Sequence, residues 1–278
     1  MQYRLLDIRQ NKFLHHFIYD LYIINTTNEG ARYSTAPNGI IGLSLVLEGN
    51  SQFFDGKAWA NLPVANVYGL IQKPQLIQIS SHFSEIAIGF KPYFLQLLLS
   101  ESMENVVENP NADAYYFFKK PTLNQLFEAI HISKTDLQII SAIENFVRQH
   151  IKTEKADNRL LMATELIAQK EVYNVDKVAS AINVSSVTLR HLFRQKVGLS
   201  PKEFIRLNRI RKALKHTNTE NLTSLAYELG YFDQSHFIHE FKSCFGLTPK
   251  QYYSNKALAF DFYNFGRWTG DSFGISNK

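Results

Sequence analysis

From Val175 to Tyr252 the apolar residues recur three and four positions apart, the spacing of one buried helix face. Val178, Ala179 and Ile182 form one stripe, and Leu189, Phe193 and Val197 form the next. The pattern is then written a second time. Gly198-Leu199-Ser200-Pro201 returns as Gly246-Leu247-Thr248-Pro249, and Phe193, Val197 and Phe204 return as Phe241, Phe245 and Tyr252, each 48 positions on. Upstream the register slips by one. Val178-Ala179 matches Leu225-Ala226, and Ile182-Asn183-Val184 matches Leu229-Gly230-Tyr231, at 47 positions. The extra residue falls between Tyr231 and Phe237 with both flanks in register, so a turn between two helices is expected there. An internal repeat fixes the architecture before anything else, and each copy predicts a helix-turn-helix.

Turn chemistry agrees. Asn183 stands where the first copy must turn sharply, and Asn tolerates a left-handed backbone; its counterpart is Gly230, which tolerates it better. Ser185 and Asp233 are the candidate N-caps of the second helices. Gly198 and Gly246 are expected to end those helices, and Pro201 and Pro249 to open the next ones. With Leu189 and Phe193 inward, Val187, Arg190, His191 and Arg194 face outward on one helix face. In the second copy the equivalents are Ser235, Ile238, His239 and Lys242, with Gln234 one step earlier. Such a face fits the DNA major groove, where Arg pairs with guanine and Gln or Ser reads base edges. One helix of this kind would be read as an ordinary solvated surface. Two in tandem, with matching caps and turns, favour DNA, with the two faces roughly one duplex turn (~34 Å) apart.

The words Leu189-Arg190-His191-Leu192-Phe193, Gly198 to Ile205, Leu229 to Phe237 and Phe241 to Pro249 resemble the DNA-binding domain of the AraC/XylS transcription regulators, over roughly Asn158 to Ser254. The resemblance implies two helical lobes joined by a long helix, with one recognition helix per lobe entering successive major grooves. It carries base contacts onto Val187, Arg190 and His191 in lobe one and onto Gln234, Ser235, Ile238 and His239 in lobe two. Phosphate contacts fall on Arg194, Arg209 and Lys242. Asn183 departs from the Gly usual in the family's first turn. The implied partners are promoter or operator DNA, RNA polymerase, a small-molecule effector and a second copy of the chain; no cofactor is implied. The linking helix is expected over Pro201 to His216, packing through Phe204, Ile205, Ile210, Ala213 and Leu214, with Arg206, Arg209, Arg211, Lys212 and Lys215 exposed beside phosphates.

Before this segment the periodicity changes. Ile41, Leu43, Leu45 and Leu47 alternate with Gly42, Ser44 and Val46, and Glu48-Gly49-Asn50 then makes a turn, a strand-and-hairpin signal. Gln75 to Ser80 and Glu85 to Phe90 alternate likewise, and Trp59, Val67, Tyr68, Leu70 and Ile71 are β-prone. Short strands between Gly, Asn and Pro suggest a small barrel or sandwich, and regulators of the family often carry a cupin-like barrel that binds an effector. The Pro37-Asn38-Gly39 turn and Ile88 to Pro92 weakly resemble such domains. Pro92 is expected to open a helix through Leu95, Leu98 and Leu99, and Asn109 to Asp113 to form a loop. A helix capped by Thr122 would follow, then one capped by Thr135 or Asp136. The stripe of the latter (Leu137, Ile140, Ile143, Phe146, Val147, Ile151) is either a dimer seam or packed on its own domain. The first helix of the C-terminal domain should bury Leu160, Ala163, Leu166 and Ile167.

The fold expected is thus α+β: a β-rich sensing or dimerising domain over 1–152, a linker over 153–158, a helical DNA-binding domain over 159–256 and an aromatic-rich tail over 257–278. Charge sharpens that division. The chain of 278 residues carries a net charge of +5. Met1 to Asp157 holds 13 basic and 15 acidic residues, whereas Asn158 to Lys256 holds 15 basic and 8 acidic, the footprint expected of a nucleic-acid partner. A single cysteine, Cys244, excludes a disulfide framework and fits a reducing cytosol; beside Phe241 and Phe245 it reads as a small buried hydrophobe rather than a reactive thiol. No stretch has transmembrane length, and Met1 to Gln10 lacks an apolar signal core, so a cytoplasmic location is expected. His15, His16 and His82 lack the spacing of metal ligands, which leaves a cupin-type metal enzyme with a helical appendage unsupported. A regulator without any effector is the remaining alternative. No catalytic residues are assigned.

Overall fold

The computed structural model describes residues 1–35, 40–69, 75–91, 93–99, 102–108, 111–168, 171–214 and 221–254. The Pro37-Asn38-Gly39 turn, Leu70, Ile71, Pro92, Lys215 and the 257–278 tail lie outside them. The chain opens with β1 (Gln2–Leu5), α1 (Lys12–Phe17) and β2 (Ile18–Asn25). Then come β3 (Ala31–Ser34), β4 (Ile41–Glu48), β5 (Ser51–Phe54), β6 (Trp59–Asn61), β7 (Ala65–Tyr68), β8 (Leu76–Ile79) and β9 (Ser84–Phe90). Helices α2 (Phe94–Leu99) and α3 (Met103–Glu108) lead to β10 (Asn111–Asp113). Among the described residues the strands form two antiparallel sheets, in the orders β1-β2-β9-β4-β7-β10 and β3-β8-β5-β6.

Successive side chains of a strand point to opposite faces, and this alternation divides the N-terminal domain into layers. Leu21 and Ile23 of β2, Leu43 and Leu45 of β4, Val67 of β7, and Ile86 and Ile88 of β9 enter a core shared with the helices. Their neighbours Tyr22, Ile24, Val46 and Ala87 pack instead with Tyr33, Ile77 and Ile79 of the second sheet. A β-rich domain was expected, but two local readings change. The Gly49 turn (φ 78°) does not close a hairpin: β4 pairs with β7 and β9, β5 with β6 and β8, so the turn carries the chain from one sheet to the other. Asn111 to Asp113 is an edge strand on β7 rather than loop.

Helices α4 (Lys120–His131) and α5 (Asp136–His150) follow. Lys119 rather than Thr122 holds the N-cap position of α4, with no side-chain bond, and Pro121 fixes its first turn. Thr135 caps α5 through a reciprocal box with Gln138. Ile139, Ile140, Ile143, Phe146 and Val147 are buried in the helix's own domain, so that stripe is occupied rather than offered as a dimer seam, while Leu137 is exposed.

The C-terminal helices are α6 (Asn158–Ala168), α7 (Val175–Ala181), α8 (Ser186–Val197), α9 (Pro201–Leu214), α10 (Leu222–Glu228), α11 (Gln234–Phe245) and α12 (Pro249–Ser254). In α6 Thr164 is buried where Leu166 was expected, its hydroxyl donating to the Leu161 carbonyl. One apolar core runs without a break from the sheet domain into α6–α9 as far as Leu207, whereas Ile210 to Tyr252 form a separate core. Lobe one therefore shares its core with the N-terminal domain, and lobe two has a core of its own.

Candidate nucleic-acid interface and sheet cavity

The repeat survives at the level of single hydrogen bonds. Ser185 Oγ accepts from the Thr188 amide at 3.0 Å to cap α8, and Asp233 Oδ1 accepts from the His236 amide at 2.7 Å to cap α11. Asn183 (φ 55°) and Gly230 (φ 73°) make the left-handed turns, and Gly198 (φ 84°) and Gly246 (φ 72°) end the second helices in the same conformation. Each turn is also tied back to the helix before it: Ser186 Oγ donates to Asp176 at 2.5 Å, and Thr223 Oγ1 donates to Gln234 Oε1 at 2.7 Å. These pairs stand at the same offsets of 48 and 47 as the sequence repeat. After each recognition helix comes a reciprocal cap that the sequence pattern S/T-x-x-E/Q announces. The Ser200 amide donates to Glu203 (2.8 Å) and the Glu203 amide to Ser200 Oγ (3.3 Å); the Thr248 amide donates to Gln251 (2.9 Å) and the Gln251 amide to Thr248 Oγ1 (3.3 Å).

These constraints fix which side of α8 and α11 looks outward. Leu189, Leu192, Phe193 and Val197 of α8 are buried, while Val187 (69% exposed), Arg190, His191 and Arg194 face solvent. In α11 Phe237, Phe241 and Cys244 are buried, while Ser235, His239 and Lys242 are exposed. Ile238 and Gln234 are half-buried. Gln234 stands at the first turn with its carbonyl oxygen engaged by Thr223, which leaves its amide NH2 for an outside acceptor. Phe232, 86% exposed in the turn before α11, was not singled out from the sequence. It falls on no apolar stripe, and an aromatic residue in a polar turn is the only signal it gives.

Arg209 belongs elsewhere. Its guanidinium lies 4.9 Å from the ring centroids of both Tyr173 and Tyr231, one ring from each lobe. This is a cation–π sandwich. Among the described residues its neighbours on α9, Arg206, Arg211 and Lys212, are half-buried rather than the exposed basic row that was expected. Lys212 pairs with Glu171 of lobe one at 2.7 Å and with Glu228 of lobe two at 3.5 Å. Arg211 stacks at 4.6 Å on Tyr19 of the N-terminal domain and donates to its hydroxyl at 3.4 Å. Arg206 is half-buried. Helix α9 thus uses its charges to hold three bodies together. Burial pushes the Cys244 thiol up, consistent with an inert packing role.

A second site lies between the sheets. A cavity of about 60 Å³ is lined by Tyr22, Tyr33, Ser44, Asn66, Tyr68 and Glu85, together with apolar Ile24, Leu62, Ile77 and Ala87. Ser44, Asn66 and Glu85 are all buried, and Ser44 Oγ donates to Glu85. Burial raises the Glu85 carboxyl above its ordinary value, with the Ser44 hydrogen bond opposing. The Asn66 side-chain carbonyl has no hydrogen-bond partner among the described residues. No cluster of three or more His, Cys, Asp or Glu side chains that could hold a metal occurs among the described residues, and His15, His16 and His82 are not brought together as a ligand set. No helix among them is long and apolar enough to cross a membrane.

Residues 178–255 match the helix-turn-helix domain family. An HTH-type transcriptional regulator of Haemophilus influenzae is 28% identical over 119 residues, 41% of this chain and 40% of that protein. The regulator MtrA of Neisseria gonorrhoeae is 32% identical over 101 residues, 34% of this chain and 33% of that one. The activator RhaS of Escherichia coli is 34% identical over 80 residues, 28% of each chain. The match therefore spans about a third of the length of these relatives. Among solved structures, ToxT of Vibrio cholerae aligns over 84% of this chain and 96% of its own at 14% identity, with a TM-score of 0.42. The family match falls on the duplicated unit with its paired caps and turns, and this part of the chain is a helix-turn-helix domain of the AraC type, similar to those of transcription regulators.

Proposed function

We propose that the protein is a sequence-specific DNA-binding transcription regulator, an activator, whose N-terminal domain senses a small molecule in the cavity between its sheets. The observation that carries this reading is the pair of outward faces on α8 and α11, each set by the same cap, turn and terminating glycine. Val187, Arg190 and His191 would read bases in one major groove, and Gln234, Ser235, Ile238 and His239 in the next, while Arg194 and Lys242 meet phosphates. Arg209 and Lys212 set the angle between the lobes instead of touching DNA. Promoter DNA and RNA polymerase are the partners this implies.

The test is selection of bound fragments from random double-stranded DNA by the full chain, followed by affinity measurement across salt concentrations. The reading expects an enriched bipartite motif with half-sites about 10–10.5 base pairs apart. It also expects affinity to fall steeply as salt rises, because Lys and Arg release counterions from the duplex. Recovery of no enriched sequence would overturn it.

A further inference from the structure

We propose that the ligand of the sheet cavity is a small primary ammonium ion with a short apolar body, held with Glu85 as its counter-charge. The proposal rests on the sensing role given above to this cavity and adds the chemistry of what is sensed. Strand alternation aims the polar residues inward from four neighbouring strands: Tyr22 from β2, Ser44 from β4, Asn66 and Tyr68 from β7, and Glu85 from β9. Across the gap Tyr33 closes the set from the second sheet.

Three properties of this lining select the ligand. Glu85 is the charged side chain among the described lining residues, and neither Lys nor Arg accompanies it there. Buried charges in proteins are normally paired, so a carboxylate here calls for a cation from outside and opposes an anionic ligand. Second, Asn66 offers a buried carbonyl oxygen with no partner among the described residues, a second acceptor lining the same cavity. An ammonium group supplies three donors and no acceptor, which matches two acceptors better than a hydroxyl does. Third, three phenol rings stand around the same space, and aromatic faces attract cations. The cavity of about 60 Å³ limits the ligand to a few heavy atoms, and Ile24, Ile77 and Ala87 give its carbon chain apolar contact.

On binding, the N–H bonds of the cation stay intact. Where Glu85 is protonated beforehand, its carboxyl proton passes to solvent as the ion pair forms, so that charge balances. The test uses the full-length protein with n-butylammonium, D-glucose and hexanoate as three separate probes, by calorimetry and by thermal unfolding. Butylammonium is expected to bind with one site per chain and to raise the melting temperature with concentration. Glu85→Gln is expected to weaken it at least about tenfold, since one partner of a buried charge pair is lost. Tyr33→Leu should weaken it and Tyr33→Phe should not, because the ring is what attracts the cation. The melting temperature without ligand verifies that each variant is folded. Binding of glucose or hexanoate in place of butylammonium, or binding that survives Glu85→Gln in full, overturns the ammonium assignment while leaving a sensing cavity. Failure of all three probes to bind, with no change in DNA affinity, overturns the assignment and counts against sensing as well.

Discussion

Glu85 is a carboxyl that folding removes from water, with a serine hydroxyl in partial compensation. Its proton affinity in the folded chain lies above its ordinary value of 4.5. The stability tied to this group is therefore full below that value and is lost as pH rises through the higher folded value. Glu85→Gln removes the dependence. Chemical denaturation of the ligand-free protein should show the wild type losing ground to the variant as pH climbs from about 4.5 toward 7; a difference constant across that range contradicts the placement. Arg190 gives a prediction on the other site. If its fork pairs with one guanine, Arg190→Ala costs about 1–3 kcal/mol at that base pair and leaves discrimination in the other half-site intact. Competition binding with single-base operator variants measures this. These two residues differed in how well the sequence announced them. Arg190 follows from helical spacing once Leu189 and Phe193 are inward. Glu85 does not, because a polar residue alternating with Ile86 and Ile88 looks the same whether it meets solvent or a second sheet. It is the folding of β3, β8, β5 and β6 into a second sheet that puts a layer over it.

Helix ends were more legible than helix faces. Ser185, Asp233, Gly198 and Gly246 were recognisable because a cap or a left-handed turn demands a particular side chain, or none. The basic side chains of α9 were not, since length and charge say nothing of where a flexible arm will be caught. The two terminating glycines allow a controlled comparison. Both have positive φ, so Ala at either strains the backbone by about 1 kcal/mol. A Cβ on Gly246 meets nothing within 4 Å, whereas one on Gly198 would lie 2.5 Å from a Val107 methyl and 2.6 Å from the Met103 carbonyl oxygen. Denaturant titration should therefore find Gly198→Ala clearly more destabilising than Gly246→Ala; equal costs would mean that α3 does not abut the end of α8. The Tyr173–Arg209–Tyr231 sandwich, with Lys212 bridging Glu171 and Glu228, gives another test. Arg209→Ala should lower affinity for a two-half-site operator and relax its preferred half-site spacing, while base preference within each half persists. Spacing-library binding separates that outcome from a phosphate contact, whose loss would instead reduce the salt slope by about one and leave spacing alone.

Over the whole chain, the cavity and the recognition helix of lobe one are joined by packed elements. Strand β7, which carries Asn66 and Tyr68, contacts α3, and α3 packs on α8. Met103 and Val106 of α3 are buried in the core that continues into lobe one, and Val107 packs against it. Arg211 on Tyr19 makes a second bridge between the same bodies. Lobe two, with its separate core, is held through α9. A ligand that repositions β7 would thus reach α8 before α11. Val107→Ala should leave ligand affinity unchanged and reduce the effect of ligand on DNA affinity, measured as coupled binding; undiminished coupling would place the route elsewhere. That two lobes of a single chain read adjacent grooves is tested most directly by base-by-base specificity profiling of the wild type, Arg190→Ala and His239→Ala on the selected operator. The account predicts that Arg190→Ala loses preference in one half-site only and His239→Ala in the other only, with the halves one helical turn apart. Loss in the same half-site, or no change in preference for either variant, would contradict it.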